Sequence, residues 1–356
     1  FNALQLEWDR LLPDDGSDLP LTWSWFDAWL EGFWDSITHE DPQARLHIVI
    51  VRDDQGVVAI APMAVHENPY HGIKFRMTHS LANGSTPYWD LVLNPGLEES
   101  AVTSICESVF STASTAVILL SKLRDKSPVR RYQDRIQRWA WSDQNMIRTP
   151  IVNTMGTLDA YLESRSRKYR RGLRKKIKTF NAEQGTLVER HLLESGKHPL
   201  FDQMVAISRH SWKSAHGSDL DSRASHRKFL SALADRLGPL GRAEIWIAYK
   251  NNEAIACELH MRSGNVTFPI QADYIESAKA LSPGSVVEYH ALAAAFEDPS
   301  IDVYDSCAAD YWYLQRLTDS YRTAYDTMIF SGDPRARLIQ LVEFGVKPIL
   351  AWMRKV

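Results

Sequence analysis

Residues 266–296 constrain the fold most. VTFPIQADY is an extended, β-branched run that ends at Tyr274. A short loop closes with Ser282-Pro283-Gly284, and Val286, Tyr289, Leu292, Ala293 and Phe296 then recur at helical spacing. A helix that starts directly after a Pro-Gly turn presents free backbone N–H groups and the positive end of its dipole. That is a place for an anion, and a pyrophosphate suits it best.

The elements before this unit follow an order that occurs twice. In the first half, residues 23–34 (WSWFDAWLEGFW) read as an aromatic-rich helix and residues 46–51 as a buried strand. A hairpin turn at Asp53-Asp54-Gln55-Gly56 leads to a return strand, residues 57–65. Residues 75–81 and 89–93 read as two more strands around Asn83-Gly84-Ser85, residues 98–111 as a helix and residues 116–120 as a strand. In the second half, residues 158–184 read as one long helix, residues 185–189 as a strand, and residues 198–216 and 225–237 as helices. Strands at 243–249, 254–262 and 266–274 follow, then the Ser-Pro-Gly helix, a last strand at 301–305 and a closing amphipathic helix at 334–355. Each half is thus a helix, an antiparallel meander, a helix and a strand. The expected fold is α/β (α+β) in two domains, 1–148 and 149–356, each a mixed, mostly antiparallel sheet flanked by helices.

A chain of 356 residues suits two domains, and its net charge of −3 argues against DNA binding through global charge. Cys106, Cys257 and Cys307 are sparse and odd in number, which points to a reducing, cytoplasmic setting. No run is long and apolar enough to span a membrane, and no histidine or cysteine spacing implies a metal. The chain begins at Phe1 rather than Met, so a trimmed upstream segment stays open.

The motifs together resemble the tandem-domain branch of the GNAT acyltransferases, nearest to the CelD/BcsL-type proteins of cellulose and exopolysaccharide synthesis. A more distant likeness is to the Fem-type aminoacyl transferases. In the first half the likeness rests on WSWFDAWLEGF, VVAIAPMAV and PYWDLVLNPG, which contains Asp90. In the second it rests on YLESRSRKYRRGLRKKIKTFNAEQG, Trp212-Lys213, Tyr274 with Glu276, Ser282-Pro283-Gly284, and the strand ending at Asp305. The chain has Tyr274-Ile275-Glu276 where the family often has Tyr-Asp-Glu, and Ser-Pro-Gly in place of a fuller Gly-rich loop.

The resemblance implies two neighbouring strands, 266–274 and 301–305, that splay around the pantetheine arm of acetyl-CoA or another acyl-CoA. The pyrophosphate would then sit at Ser282, Pro283, Gly284, Ser285 and Val286, with no metal. A plain helix start is the simpler reading of the same three residues without the family.

Acyl transfer needs a base near the nucleophile and a donor near the leaving group. Glu258 and His260 share one strand face, and Gln271 and Asp273 share a face of the next strand. Glu258 is the first candidate base and Asp273 the second, although a wet polar face explains either one alone more simply. Tyr313 is the candidate acid. Asp305 and Asp310 are candidates to hold an acceptor, and Tyr274 and Trp212 to border it, with a core role the simpler explanation for Trp212. Tyr311-Trp312-Tyr313 suits stacking on a sugar ring or a packed lid.

Between Arg165 and Lys178 there are nine cations and no acid, with Tyr169, Leu173, Ile177 and Phe180 forming an apolar stripe. Lys168 and Arg171 lie in this run as candidate substrate-binding residues. Three partners stay open: a phosphate-bearing substrate, an anionic membrane surface that would make the protein membrane-peripheral, or solvent alone. The expected activity is an acyl-CoA-dependent N- or O-acyltransferase acting on a small-molecule or glycan-pathway acceptor. A tRNA-dependent transferase and a non-catalytic scaffold are the alternatives. Oligomeric state stays open.

Overall fold

The structure, a computed structural model, describes residues 2–12, 18–70, 73–94, 96–307, 310–311, 313–318 and 320–347. The first half holds α1 (Gln5–Asp9), α2 (Trp23–Glu40), β1 (Arg45–Asp53), β2 (Gly56–Tyr70), β3 (Ile73–Ser80), β4 (Val92–Leu93), α3 (Glu98–Thr112), β5 (Val117–Arg124) and α4 (Pro128–Tyr132). β6 (Ala140–Asn153) leads to α5 (Leu158–Ser164), α6 (Arg167–Ala182), β7 (Thr186–Leu192), α7 (Pro199–Arg209) and α8 (Ala224–Leu237). The remainder is β8 (Ala243–Lys250), β9 (Glu253–Ser263), β10 (Val266–Tyr274), α9 (Pro283–Glu297), β11 (Val303–Asp305), β12 (Ser320–Phe330) and α10 (Pro334–Gln340).

Local chemistry sets many of these bounds. Thr22 accepts the Trp25 N–H at 3.2 Å and starts α2. Asp53 accepts the N–H groups of Gln55 and Gly56, and Gly56 takes φ 134°, which closes the β1–β2 hairpin. Ser166 accepts the Tyr169 N–H at 3.2 Å while Arg165 is extended, so the single helix expected over residues 158–184 is two helices, α5 and α6. The helix expected over 198–216 stops at Arg209 and resumes as a 3-10 turn, Ser214–His216. Of the strand expected at 89–93, only Val92–Leu93 and an isolated bridge at Trp89 pair. The closing helix runs from Pro334 into a π-helical turn, Leu341–Val346, and its expected continuation over 348–355 lies outside the described residues.

The strands form one sheet in the order β1-β2-β3-β5-β12-β6-β11-β10-β9-β8-β7, with β4 on β2. The expected mixed α/β architecture and the twice-used order of elements are both present. Each half has an antiparallel meander, then a crossover helix, then a parallel strand: β3–α3–β5 and β10–α9–β11. Residues 320–330, unread as a strand in the sequence, are β12, which lies between β5 and β6. β6 pairs with β12 and, through residues 151–153, with β11, so residues 148 and 149 sit within one strand.

One core cluster runs along the sheet face covered by α2, α7 and α8. α2 and α8 meet at Gly32, where an added Cβ would lie 2.5 Å from Phe229 Cβ. Trp25 meets Phe229 edge-on at 5.0 Å, and Arg236 binds Asp27 and Glu31 beside them. On the opposite face α6 and α9 cover β8 and β9 through Phe180, Trp246, Ala256, Val286 and Val287.

Candidate active site

The centre of the site is the parting of β10 from β11. These parallel strands pair only at Val266–Val303 and Thr267–Tyr304. Beyond that, β10 carries an irregularity between Pro269 and Gln271, and its free edge continues to Tyr274. The chain then makes a 3-10 turn, Glu276–Leu281, in place of the plain loop expected.

Ser282 takes a left-handed conformation, φ 52°, without capping α9 through its side chain. The special backbone position is therefore at Ser282 and not at Gly284. Cys307, just past β11, is also left-handed at φ 55°, so a non-glycine residue in this region flanks the wedge on both sides. Pro283 has no N–H, and the first turn of α9 contains no acidic residue. The N–H groups of Gly284 and Ser285 precede the first intrahelical bond and point out of the helix end. Lys176 of α6 reaches this end and donates to Ser285 Oγ at 2.8 Å. Tyr274 packs beside it, 3.4 Å from where a Gly284 Cβ would be.

The corresponding wedge of the first half is filled by the chain itself. β3 and β5 pair at Met77–Val117, Thr78–Ile118 and His79–Leu119. Trp89, fully buried, then takes the place beside β5: its N–H donates to Lys122 O at 2.9 Å, and its carbonyl accepts from Arg124 N at 3.3 Å. The crossover helix α3 starts with Glu98 and Glu99, charges that oppose an anion. Of the two halves, only the second thus has an open wedge and an acid-free helix start.

Glu258 and His260 lie on the α9 face, as their alternation predicts. His260 Nε2 is 3.0 Å from Glu258 Oε2, and its Nδ1 is 3.3 Å from Thr267 Oγ1, the last paired residue of the wedge. The His260 ring meets Tyr304 of β11 edge-on at 5.7 Å. Glu288 of α9 joins this cluster. Burial, reinforced by the charge of Glu258 and opposed by Lys176, pushes its carboxyl up to about 8. Tyr313 is drawn into the same field: partial burial and the charges of Glu288, Tyr311 and Glu258 push its phenol up to about 12, while half of the side chain stays exposed. The structure therefore groups Glu258 with His260, Glu288 and Tyr304, and Tyr313 lies within reach of their charge.

Asp273 is on the other face, opposite Cys257 in the pairing of β10 with β9. The two candidate bases thus flank the wedge from opposite sides of the sheet. Lys213 Nζ lies 2.8 Å from Asp273 Oδ1, a charge contact outside hydrogen-bond geometry, and donates to Ala272 O at 2.8 Å. The Gln271 amide donates to Asp273 Oδ2, so its Oε1 accepts from His226 Nε2 at 3.2 Å. The His226 ring then accepts on Nδ1 from Ser85 Oγ at 2.7 Å. Burial, helped by Arg223, holds His226 down at about 4, so this ring is neutral at pH 7. A buried hydrogen-bond chain therefore runs from Ser85 in the first half to Asp273 on the wedge strand.

The other candidates are distributed around this centre. Both oxygens of Asp305 are held by Arg322, at 2.8 and 2.9 Å, and one also accepts the Cys307 N–H, so this carboxylate is used within the fold. Arg322 also donates to Pro87 O and lies over the Tyr88 ring at 4.3 Å. Asp310 pairs loosely with Arg148 at 3.8 Å, and its Oδ1 has no partner among the described residues. Tyr311 and Tyr313 are both about half exposed and stack in parallel at 5.8 Å, while Trp312 lies outside the described residues. Trp212 is not in the core: it is half exposed beside His216. Lys168 and Arg171 are exposed on α6.

Glu288 was legible in principle. It shares a helix stripe with Ala291, Leu292 and Ala295, all buried, and is the charged member of that stripe. Among the described residues no group of three His, Cys, Asp or Glu is placed to hold a metal, and no helix is long and apolar enough to cross a membrane.

Residues 167–315, which contain α6, the wedge strands and α9, match the family model described as an acetyltransferase (GNAT) domain. No curated protein sequence matches the chain. The fold is similar to that of FemX, at 13% identity and a TM-score of 0.57, covering 95% of this chain and 98% of that one. It is also similar to L-PGS from Bacillus licheniformis, at 10% identity and a TM-score of 0.52, covering 87% of this chain and 94% of that one. The C-terminal domain of a putative lysylphosphatidylglycerol synthetase from Agrobacterium fabrum matches at 9% identity and a TM-score of 0.52, covering 88% of this chain and 95% of that one. The match over residues 167–315 supports an acyltransferase of the GNAT type, and the solved structures support the fold.

Proposed function

We propose that the protein transfers an acyl group from acyl-CoA to an amine or hydroxyl acceptor, with the donor site in residues 149–356. The observation that carries this reading is the contact of Lys176 with Ser285 at the acid-free start of α9, beside the parting of β10 and β11. Two backbone N–H groups, a hydroxyl and an ammonium converge there, which is the chemistry a pyrophosphate needs.

The acceptor lone pair attacks the thioester carbonyl carbon. A new C–N or C–O bond forms as the C–S bond breaks. Glu258, oriented by His260, takes the proton from the acceptor, and Tyr313 supplies one to the leaving thiolate. Asp273, held by Lys213 and Gln271, shapes the opposite wall of the wedge. The acceptor belongs to the glycan or cell-envelope chemistry suggested by the CelD/BcsL-type motifs, and the exposed Tyr311, Tyr313 and Trp212 are suited to stacking on sugar rings.

The test is release of free CoA thiol from acetyl-CoA with a panel of amino sugars and hydroxylated glycans. Glu258→Gln should lower turnover by about 10²–10⁴-fold with donor binding retained. Unchanged turnover in that variant would remove Glu258 from the chemistry. A second reading, transfer from aminoacyl-tRNA, is prompted by the Fem-type likeness of the second-half motifs. It predicts no acyl-CoA turnover and transfer from charged tRNA instead.

A further inference from the structure

Six cations on the outer side of α6 are unpaired. Arg167, Lys168, Arg171, Arg174, Lys175 and Lys178 are exposed, and none meets a carboxylate among the described residues. The helix contains no acidic residue. Its eight cations, set against a whole-chain charge of −3, leave the rest of the molecule strongly acidic. Charge of one sign concentrated on one face, without partners, raises self-repulsion and calls for a counter-surface.

The shape of this face selects among anionic partners. The cations span about 17 Å along the helix at ~1.5 Å per residue and diverge from its outer surface. A small phosphate ligand is gripped by groups that converge, as they do at Ser285 and Lys176. Single-stranded nucleic acid calls for aromatic groups among the cations. The outward face offers only Gly172 and Thr179 between them, and Glu163 and Glu183 lie just beyond the two ends. A flat anionic sheet meets all six side chains along the strip at once. The apolar stripe of Tyr169, Leu173, Ile177 and Phe180 is turned inward, so the contact is electrostatic and not an insertion.

We propose that the outward face of α6 docks the protein on an anionic lipid surface. Because Lys176 of the same helix reaches Ser285, docking places the start of α9 next to the membrane plane. The proposal does not depend on which acyl donor occupies that helix end.

The experiment is co-sedimentation of the whole chain with vesicles of phosphatidylcholine alone, or with one third phosphatidylglycerol, in low and high salt. Binding should need phosphatidylglycerol and be lost in high salt, since screening lengths fall to about 3 Å at 1 M. Each cation near an anionic surface contributes about fivefold to affinity, so the double variant Arg174→Glu/Lys178→Glu should bind about 25-fold more weakly or worse. Its unfolding midpoint, measured alongside, should match that of wild type, because both side chains point to solvent. Equal sedimentation with neutral vesicles, no sedimentation at low salt, or an unchanged double variant would each overturn the proposal. So would a short RNA that displaces the protein from vesicles and loses affinity in the same variant. Acyl-CoA binding, measured separately on both proteins, reports on the donor site and not on docking.

Discussion

Glu288 is a carboxyl group raised by burial and by the charge of Glu258, and this has a consequence for stability. The folded state keeps its proton up to about 8, whereas an unfolded Glu releases it near its ordinary value of 4.5. Between these values the folded chain binds more protons, so this group withdraws stability as pH rises. Glu288→Gln, which keeps the size and removes the charge, should gain on wild type progressively from pH 5 to pH 9 in thermal melts. Parallel curves for the two proteins would show that the carboxyl is not raised. His226 acts with the opposite slope: held at about 4 against an ordinary value of 6.5, it costs stability as pH falls through that interval. His226→Gln should flatten the acid side of the same curve. The sequence made Glu258 and Asp273 visible through strand alternation. It could not show that they lie on opposite faces of the sheet, because a face is fixed only when the partner strand and its bulge are known. It also could not show that Trp212 is exposed, since an aromatic residue after a helix has no periodic neighbour to place it.

Elements were readable where the signal was local. The β1–β2 hairpin, the β8–β9–β10 meander and the helix after Ser-Pro-Gly all follow from turn residues and spacing. The break between α5 and α6 leaves no such signal, because helical spacing continues across it and a single Ser166 cap decides the matter. The packing of α2 on α8 was also hidden. Gly32 sits inside an aromatic helix with no turn to justify it, and its reason is the backbone of Phe229, 2.7 Å from an added Cβ. Gly32→Ala should therefore destabilise the protein by about 1–3 kcal/mol through overpacking, despite the better helix propensity of alanine. Urea unfolding monitored by tryptophan fluorescence measures this directly, and a stabilised variant would contradict the close approach.

At the scale of the whole molecule, the repeated order of elements was legible and the joining of the halves was not. β12 is inserted between β5 and β6, almost two hundred residues from its partners in the chain, and such pairing leaves no local trace. The same insertion places Arg322 against Asp305 and Pro87, which ties the end of the β10–β11 wedge to the first half. Arg322→Ala leaves a carboxylate that is 4% exposed without its partner and should cost about 3–5 kcal/mol, seen as a lowered urea midpoint. Why only the second half keeps an open wedge follows from Trp89 and from Glu98 and Glu99, which fill or repel at the corresponding positions of the first half. The central claim is that the start of α9 receives the phosphates of an acyl-CoA. The direct measurement is calorimetric titration of acetyl-CoA and longer acyl-CoAs into wild type and Gly284→Glu. A side chain fits there, with Tyr274 Cδ1 at 3.4 Å from the new Cβ, so the variant should fold and oppose the donor by charge alone. The predicted result is binding by wild type that is lost in the variant. Absence of binding by wild type to every acyl-CoA, or equal binding by both proteins, would contradict it.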